Sequence, residues 1–86
     1  MANILDIKQE LVRRIRLRRR EAKLSQSALA QKSNVSLGSI KRFENSGEIS
    51  LSSLLRIAFV LGYETDFNRL FERKNYQSID EILNAK

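Results

Sequence analysis

The chain of 86 residues contains no cysteine, histidine, proline or tryptophan. Without cysteine, no disulfide or thiolate metal site can stabilise the fold, and without histidine a metal ion is left with carboxylate ligands. The commonest general base of enzymes is missing as well. We therefore expect no catalytic residues, no metal ion and no cofactor, and we expect that the protein is not an enzyme.

Long apolar runs are also missing. No stretch approaches the roughly 20 apolar residues of a transmembrane helix, and the first residues lack the basic-then-apolar order of a signal peptide. We therefore expect a cytoplasmic protein that does not enter a membrane. The chain has no proline and only three glycines, so few residues would interrupt a helix. The sequence therefore predicts an all-helical fold.

Positive charge is concentrated in the first half of the chain. The net charge is +6, and residues 13–20 include six arginines. Arginine is well suited to binding phosphate, so this run indicates phosphate binding; a solvated helix face that aids solubility is the alternative. A membrane-binding helix is disfavoured because the apolar stripe on the same segment is expected to be buried in the core.

The first predicted helix covers residues 6–23, with Asp6 as a candidate N-cap. Its apolar stripe contains Ile7, Leu11, Ile15 and Ala22 at helical spacing. Arg19 interrupts this stripe where an apolar residue is expected. Because buried charges are usually paired, the position suggests a partner for Arg19; exposure to solvent is the alternative.

Two short amphipathic segments follow, each opened by a serine. Ser25 is the expected N-cap of a helix over residues 26–32, and Ser36 that of a helix over residues 37–45. Only Asn34 and Val35 separate the first segment from Ser36. This layout is typical of a helix-turn-helix, whose second helix enters the major groove of DNA.

Two further helices are predicted, over residues 51–61 with Ser50 as N-cap and over residues 66–71 with Thr65 as N-cap. The last of these is expected to bury Phe67, Leu70 and Phe71. The segment 76–86 contains a capping-box pattern and then apolar residues, which predicts one more short helix or a partly ordered tail. The apolar residues after Asp66 fit either a dimer contact or a core.

The motif residues resemble the phage-repressor and Cro-like helix-turn-helix family of the xenobiotic-response-element type. The resemblance spans residues 11–70 and rests on the family spacing of Ser25-Gln26, Leu29-Ala30, Val35-Ser36 and Glu44. It implies an all-α, five-helix, lambda-repressor-like DNA-binding domain over residues 1–71. Residues 72–86 would form a short C-terminal extension for dimerisation or for a partner.

The resemblance also implies a function. We expect a sequence-specific regulator of transcription that binds double-stranded DNA, acting as a repressor and as a homodimer. The alternative is a DNA-binding antitoxin that also neutralises a partner toxin protein. A pull-down from the native host would separate the two, since an antitoxin should retain one stoichiometric protein.

The resemblance assigns residues as well. Gln26 is expected to bind a phosphate and brace the recognition helix, and Arg19 and Glu44 are expected to form a structural ion pair. For Arg42, base contact and phosphate contact remain open. The full set of expected DNA contacts is Arg18, Arg20, Ser25, Gln26, Ser36, Leu37, Gly38, Ser39, Lys41, Arg42 and Asn45.

The chain departs from the family pattern in three places, one of which is the segment from about Glu72 onward, which lies outside the shared domain. Leu37 and Gly38 stand where a bulky polar residue is common, which weakens the case for hydrogen-bonded base reading there. Ser46 is one extra residue between Glu44 and Gly47.

Overall fold

Five helices make up the regular structure of residues 2–74, the part of the chain that the computed structural model describes. They are α1 (Ile4–Glu21), α2 (Gln26–Ser33), α3 (Leu37–Ser46), α4 (Leu51–Leu61) and α5 (Thr65–Asn68). The predicted all-α fold is confirmed. The segment 76–86, with its expected short helix, lies outside the described residues.

Serine caps start the three central helices, as the sequence predicts. The side chains of Ser25, Ser36 and Ser50 each accept a hydrogen bond from the backbone N–H three residues further on. Such a cap satisfies a backbone donor that the helix itself cannot, and it contributes about 1 kcal/mol. These caps fix where α2, α3 and α4 begin.

The start of α1 differs from the expectation. Asn3 is the N-cap, and its side chain accepts a hydrogen bond of 2.8 Å from the Asp6 N–H. The Asp6 carboxylate accepts in return from the Asn3 N–H at 3.3 Å. Asp6 therefore completes a capping box and is not the N-cap itself, so the helix begins two residues earlier than predicted.

The core lies where α2 packs against α3 and α4 and where α1 packs against α3. Its largest fully buried side chains are Leu29, Ile40, Phe43 and Ile57. Burying a side chain of this kind stabilises the fold by about 1.5–3 kcal/mol. The helix-turn-helix thus provides most of its own core, and α4 closes it.

The predicted apolar stripe of α1 is wrong for most of its residues. Ile7 is 59% exposed, Leu11 is 37% exposed, and Ala22 is exposed, whereas Val12 and Arg19 are buried. At about 1.5 Å per residue, α1 is nearly twice as long as α3, against which it packs. Its first turns therefore have no described helix to cover them.

The last helix is also shorter than predicted. α5 is a single turn in which Thr65 is the first residue, and the preceding Glu64 makes no side-chain cap. Phe67 is half-buried, but Leu70 is 58% and Phe71 99% exposed, so their predicted burial is wrong. Because the helix stops at Asn68, the spacing that would turn both residues inward is lost.

No helix within residues 2–74 is both long enough and apolar enough to cross a membrane.

Candidate nucleic-acid interface

A tight turn joins α2 to α3. Asn34 ends α2 in the left-handed conformation, with φ of 57°, which asparagine tolerates better than most residues. The next residue, Val35, is only 4% exposed, and its N–H donates to the Ala30 carbonyl at 3.2 Å. The turn is thus anchored in the core, and this fixes the direction in which α3 leaves it.

The two sides of α3 have different surroundings. Ile40, Phe43 and Glu44 are buried, whereas Gly38, Lys41, Arg42 and Asn45 are exposed. The exposed residues follow the spacing of one helix face. This outward face carries two cations and, at Gly38, a backbone that has no atom within 4 Å of where a Cβ would stand.

The other residues expected near this face are placed less uniformly. Ser36 is exposed, and its hydroxyl donates to the Ser39 hydroxyl at 2.8 Å. Ser39 is half-buried. Leu37 is half-buried against the core cluster rather than fully outward, so only part of its side chain is open to a ligand.

Glu44 joins three helices through its carboxylate. Arg19 of α1 donates to it with two nitrogens, Nε at 2.8 Å from Oε2 and Nη2 at 3.1 Å from Oε1. Arg16 donates from Nε to Oε1 at 3.2 Å, and Gln26 at the start of α2 donates from Nε2 to Oε1 at 3.2 Å. We call these four residues the Glu44 cluster.

The cluster fixes the orientation of the Gln26 amide. Since a primary amide has two N–H groups, the bond to Glu44 leaves one to donate to a ligand. Gln26 is half-buried at the N-terminal end of α2, next to the exposed cap Ser25. Helix N-termini favour anions, so Gln26 lies where a phosphate would be stabilised.

Burial and hydrogen bonding have opposite effects on the pKa of Glu44. Burial raises the pKa of its carboxyl, but the hydrogen bonds from Arg19, Arg16 and Gln26 lower it, and the net shift is below the ordinary value of 4.5. Glu44 is therefore ionised at neutral pH. One buried carboxylate then faces two guanidinium groups, so this part of the molecule carries a surplus positive charge.

The six arginines of α1 are sorted by their partners. Arg13 and Arg14 pair with Glu10, and Arg16 and Arg19 pair with Glu44. Arg18 pairs with Glu21 and lies 5.7 Å from the centre of the Tyr63 ring. Arg20 is exposed and makes no ion pair with any described residue. The six arginines therefore differ in whether an acidic partner already binds them, and they differ accordingly as candidates for phosphate binding.

Half of the acidic side chains in residues 2–74 are partners of cations on α1. Glu10, Glu21, Glu44 and Glu48 each form an ion pair with a cation of that helix. No group of three or more Asp, Glu, His or Cys side chains in this part of the chain is arranged to hold a metal ion.

Sequence reasoning missed several contacts, among them the hydrogen bond from Gln26 to Glu44. It placed Arg16 in the phosphate-binding run, although Val12, Arg16 and Arg19 have the spacing of one helix face, which could have marked Arg16 as a partner of α3. It also missed the ion pair between Lys8 and Glu48. These residues are 40 positions apart, and Gly47, the chain neighbour of Glu48, lies close against the Lys8 side chain.

Comparisons with known proteins agree with this geometry. The profile of the helix-turn-helix family matches residues 15–68, which cover α2 and α3 and most of the core. Searches among curated proteins and among solved structures find no significant match. The matched family is one of DNA-binding regulators and not of enzymes. The chain therefore belongs to the phage-repressor and Cro-like helix-turn-helix family and is a DNA-binding regulator of transcription.

Proposed function

We propose that the protein represses transcription by binding an operator as a homodimer, with α3 in the major groove. The observation that carries the proposal is the two-sided character of α3. Its inner face is fixed by Phe43 and by the Glu44 cluster, while Lys41 and Arg42 stand on an exposed face. Lysine and arginine both reach guanine O6 and N7 in the major groove.

Phosphate contacts would position this helix on the duplex. Gln26 has an amide N–H to donate, and Arg20 has a charge that no described acid neutralises. Contacts of this kind carry no sequence information but set the register of the protein on DNA. Occupying a promoter in this way would block transcription.

The homodimer is supported by exposed apolar residues at the ends of α4 and α5. Phe59 is 66% exposed, Tyr63 40%, Leu70 58% and Phe71 99%. Two recognition helices about 34–36 Å apart would reach successive major grooves and double the specific contacts. In sedimentation experiments we expect a dimer for the wild-type protein and a weaker one for Phe59→Ser. A wild-type protein that stays monomeric with and without DNA would contradict the dimer.

Salt dependence tests the phosphate contacts. Each phosphate contact adds about 0.9 to the slope of log affinity against log salt. We expect Arg20→Gln to lower that slope by roughly 1, whereas the control Arg14→Gln should lower it less because Arg14 is already bound to Glu10. Equal slopes for Arg20→Gln and the wild-type protein would show that Arg20 does not contact a phosphate.

Arg42→Ala tests the base-reading face. If Arg42 reads guanine, the variant loses about 1–3 kcal/mol of binding energy and relaxes specificity at one base pair; if it binds a phosphate, affinity falls alike for all sequences. Unchanged affinity for every duplex would show that Arg42 does not contact DNA. Because Arg42 is exposed, melting temperature serves as the control and should not change.

A further inference from the structure

We propose that Arg16 is a positioning residue for DNA reading: it fixes the C-terminal end of α3 to α1 and so sets where the outward face of α3 lies in the groove. The inference rests on the proposed role of α3 as the helix that reads bases. It concerns a residue that contacts neither a base nor a phosphate in this scheme.

The contact that carries the inference goes to the main chain. Arg16 Nη2 donates to the backbone carbonyl oxygen of Glu44 at 2.8 Å, while Arg16 Nε donates to the Glu44 carboxylate at 3.2 Å. The last four carbonyls of a helix have no partner within the helix. The Glu44 carbonyl is one of these in α3, and Arg16 satisfies it from a different helix.

The charge at the C-terminal end of α3 also supports a positioning role for Arg16. A cation near a helix C-terminus interacts favourably with the helix dipole, yet the last turn of α3 contains no basic residue. Arg16 supplies that cation from α1. The bond therefore stabilises the end of the recognition helix in one place relative to α1.

Arg19 makes no comparable contact to the main chain of α3. Its nitrogens contact the Glu44 carboxylate and the Leu24 carbonyl, but no main-chain atom of α3. A side chain can adjust its rotamer while the helix shifts, whereas a main-chain carbonyl moves with the helix. Arg19 thus stabilises the fold, and Arg16 restrains the axial position of α3.

Exposure separates the two arginines as well. The Arg16 side chain is 37% exposed and the Arg19 side chain 10%. Removing Arg16 leaves the Arg19–Glu44 pair in place and opens no buried site, so an Arg16 variant is expected to fold.

A displaced recognition helix should affect specific binding more than non-specific binding. Base contacts require side-chain atoms to meet particular groups in the groove, whereas phosphate contacts hold the protein on any sequence. Loss of Arg16 should therefore reduce the ratio of specific to non-specific affinity. A phosphate-binding arginine would instead lower both affinities together.

The test uses two probes: the duplex that the wild-type protein selects from a randomised pool, and a scrambled duplex of the same length, at one salt concentration. For Arg16→Gln we expect affinity for the selected duplex to fall roughly tenfold, about the loss of one base contact, with little change for the scrambled duplex. The matched control is Arg14→Gln, which removes the same charge from the same helix but breaks a pair with Glu10. The control should leave the ratio unchanged.

Arg16→Lys separates geometry from charge. A lysine keeps the positive charge but cannot give the two-point contact of a planar guanidinium, so the affinity ratio should stay below that of the wild-type protein. Full recovery by lysine, or an equal loss on both duplexes in Arg16→Gln, would overturn the proposal.

A measurement without DNA tests the restraint itself. In NMR spectra of the free protein, the backbone amides of residues 44–47 should shift in Arg16→Gln and remain in place in Arg14→Gln. If these amides do not move, the proposed restraint is wrong even where DNA binding is intact. If they move but the wild-type protein selects no duplex, the base-reading role of α3 fails and the structural restraint stands.

Discussion

The two halves of α1 have similar apolar spacing but different surroundings. In residues 4–11, Ile4, Leu5 and Ile7 are 74%, 57% and 59% exposed. In residues 12–21, Val12 and Arg19 are each 8% exposed, and α1 packs against α3. We call residues 4–11 the exposed half of α1 and residues 12–21 the anchored half. Helical spacing thus shows which side of a helix is apolar, but a neighbouring element decides whether that side is buried.

The same contrast exists between two carboxylates. Glu10 and Glu44 each bind two arginines of α1, but the Glu10 side chain is 41% exposed and that of Glu44 only 5%. In water, side-chain entropy and solvent screening remove most of the value of an ion pair. A buried pair differs because removing one partner leaves an uncompensated charge. The two sites therefore compare an exposed and a buried carboxylate that bind the same kind of partner.

The largest effect is expected for Glu44→Ala. It leaves Arg19 buried without its partner, which should cost about 3–5 kcal/mol of folding free energy, a large part of the stability of so small a domain. Chemical denaturation measures it, with Glu10→Ala as the matched control, for which the midpoint should barely move. A Glu44→Ala midpoint close to that of the wild-type protein would show that the cluster does not hold α1 to α3.

Low pH should weaken the attachment of the anchored half to α3, because Glu44 is the group that becomes protonated. The pKa of Glu44 in the folded protein is below its ordinary value of 4.5, so its contribution to stability is complete above that pH. The contribution is lost as the pH falls through the folded pKa. Melting temperatures from pH 7 to pH 2.5 should fall more steeply for the wild-type protein than for Glu44→Gln. Parallel curves would contradict the shifted pKa.

Gly47→Ala should weaken the link between the exposed half and the rest of the molecule. Gly47 has a φ of +78°, and a Cβ there would lie 2.9 Å from the Lys8 Cβ. The conformation alone costs a non-glycine residue about 1–2 kcal/mol. Gly62→Ala is the control, since its φ is +83° but no atom lies within 4 Å. The Gly47 variant should be the less stable in thermal melts, and equal losses would mean that the Lys8 contact is immaterial.

The smallest effect is expected on the exposed half itself. Ile7→Ser should change the free energy of unfolding by no more than about 0.5 kcal/mol, as surface substitutions usually do. Val12→Ala, its counterpart in the anchored half, removes two buried carbon groups worth roughly 0.8 kcal/mol each. A larger loss for Ile7→Ser than for Val12→Ala would mean that residues 4–11 are covered in solution.

Local signals predicted the fold well where they are strong. Serine caps gave the starts of α2, α3 and α4 because such a cap depends on residues three positions apart. The helix-turn-helix followed from the length of the turn between Ser33 and Ser36. The position of Arg19 on an inward stripe also pointed to a partner, and the structure places Glu44 at that point.

The errors arose where tertiary contacts decide the outcome. Periodicity placed Leu11 and Phe71 inside because it does not show where the covering helix ends. It did not reveal that Glu44 also binds Arg16 and Gln26, because these contacts join residues 28 and 18 positions apart. Nor was the arginine run divided into paired and unpaired members. Helix spacing alone could have shown the pairs with Glu10 and Glu21, which lie three or four residues from their arginines. The pairs of Arg16 and Arg19 with Glu44 depend instead on how α3 packs against α1.

The separation between the two faces of α3 has a consequence for redesign. Gly38, Lys41, Arg42 and Asn45 are exposed, so under the base-reading role proposed for α3 these four positions form the set to exchange when a different DNA sequence is the target. Replacing the whole of α3 by a helix from another protein would carry a further cost. A replacement helix without a glutamate at position 44 would leave two arginines of α1 without their carboxylate partner. A successful graft therefore changes the outward side chains and keeps Ile40, Phe43 and Glu44 of the host.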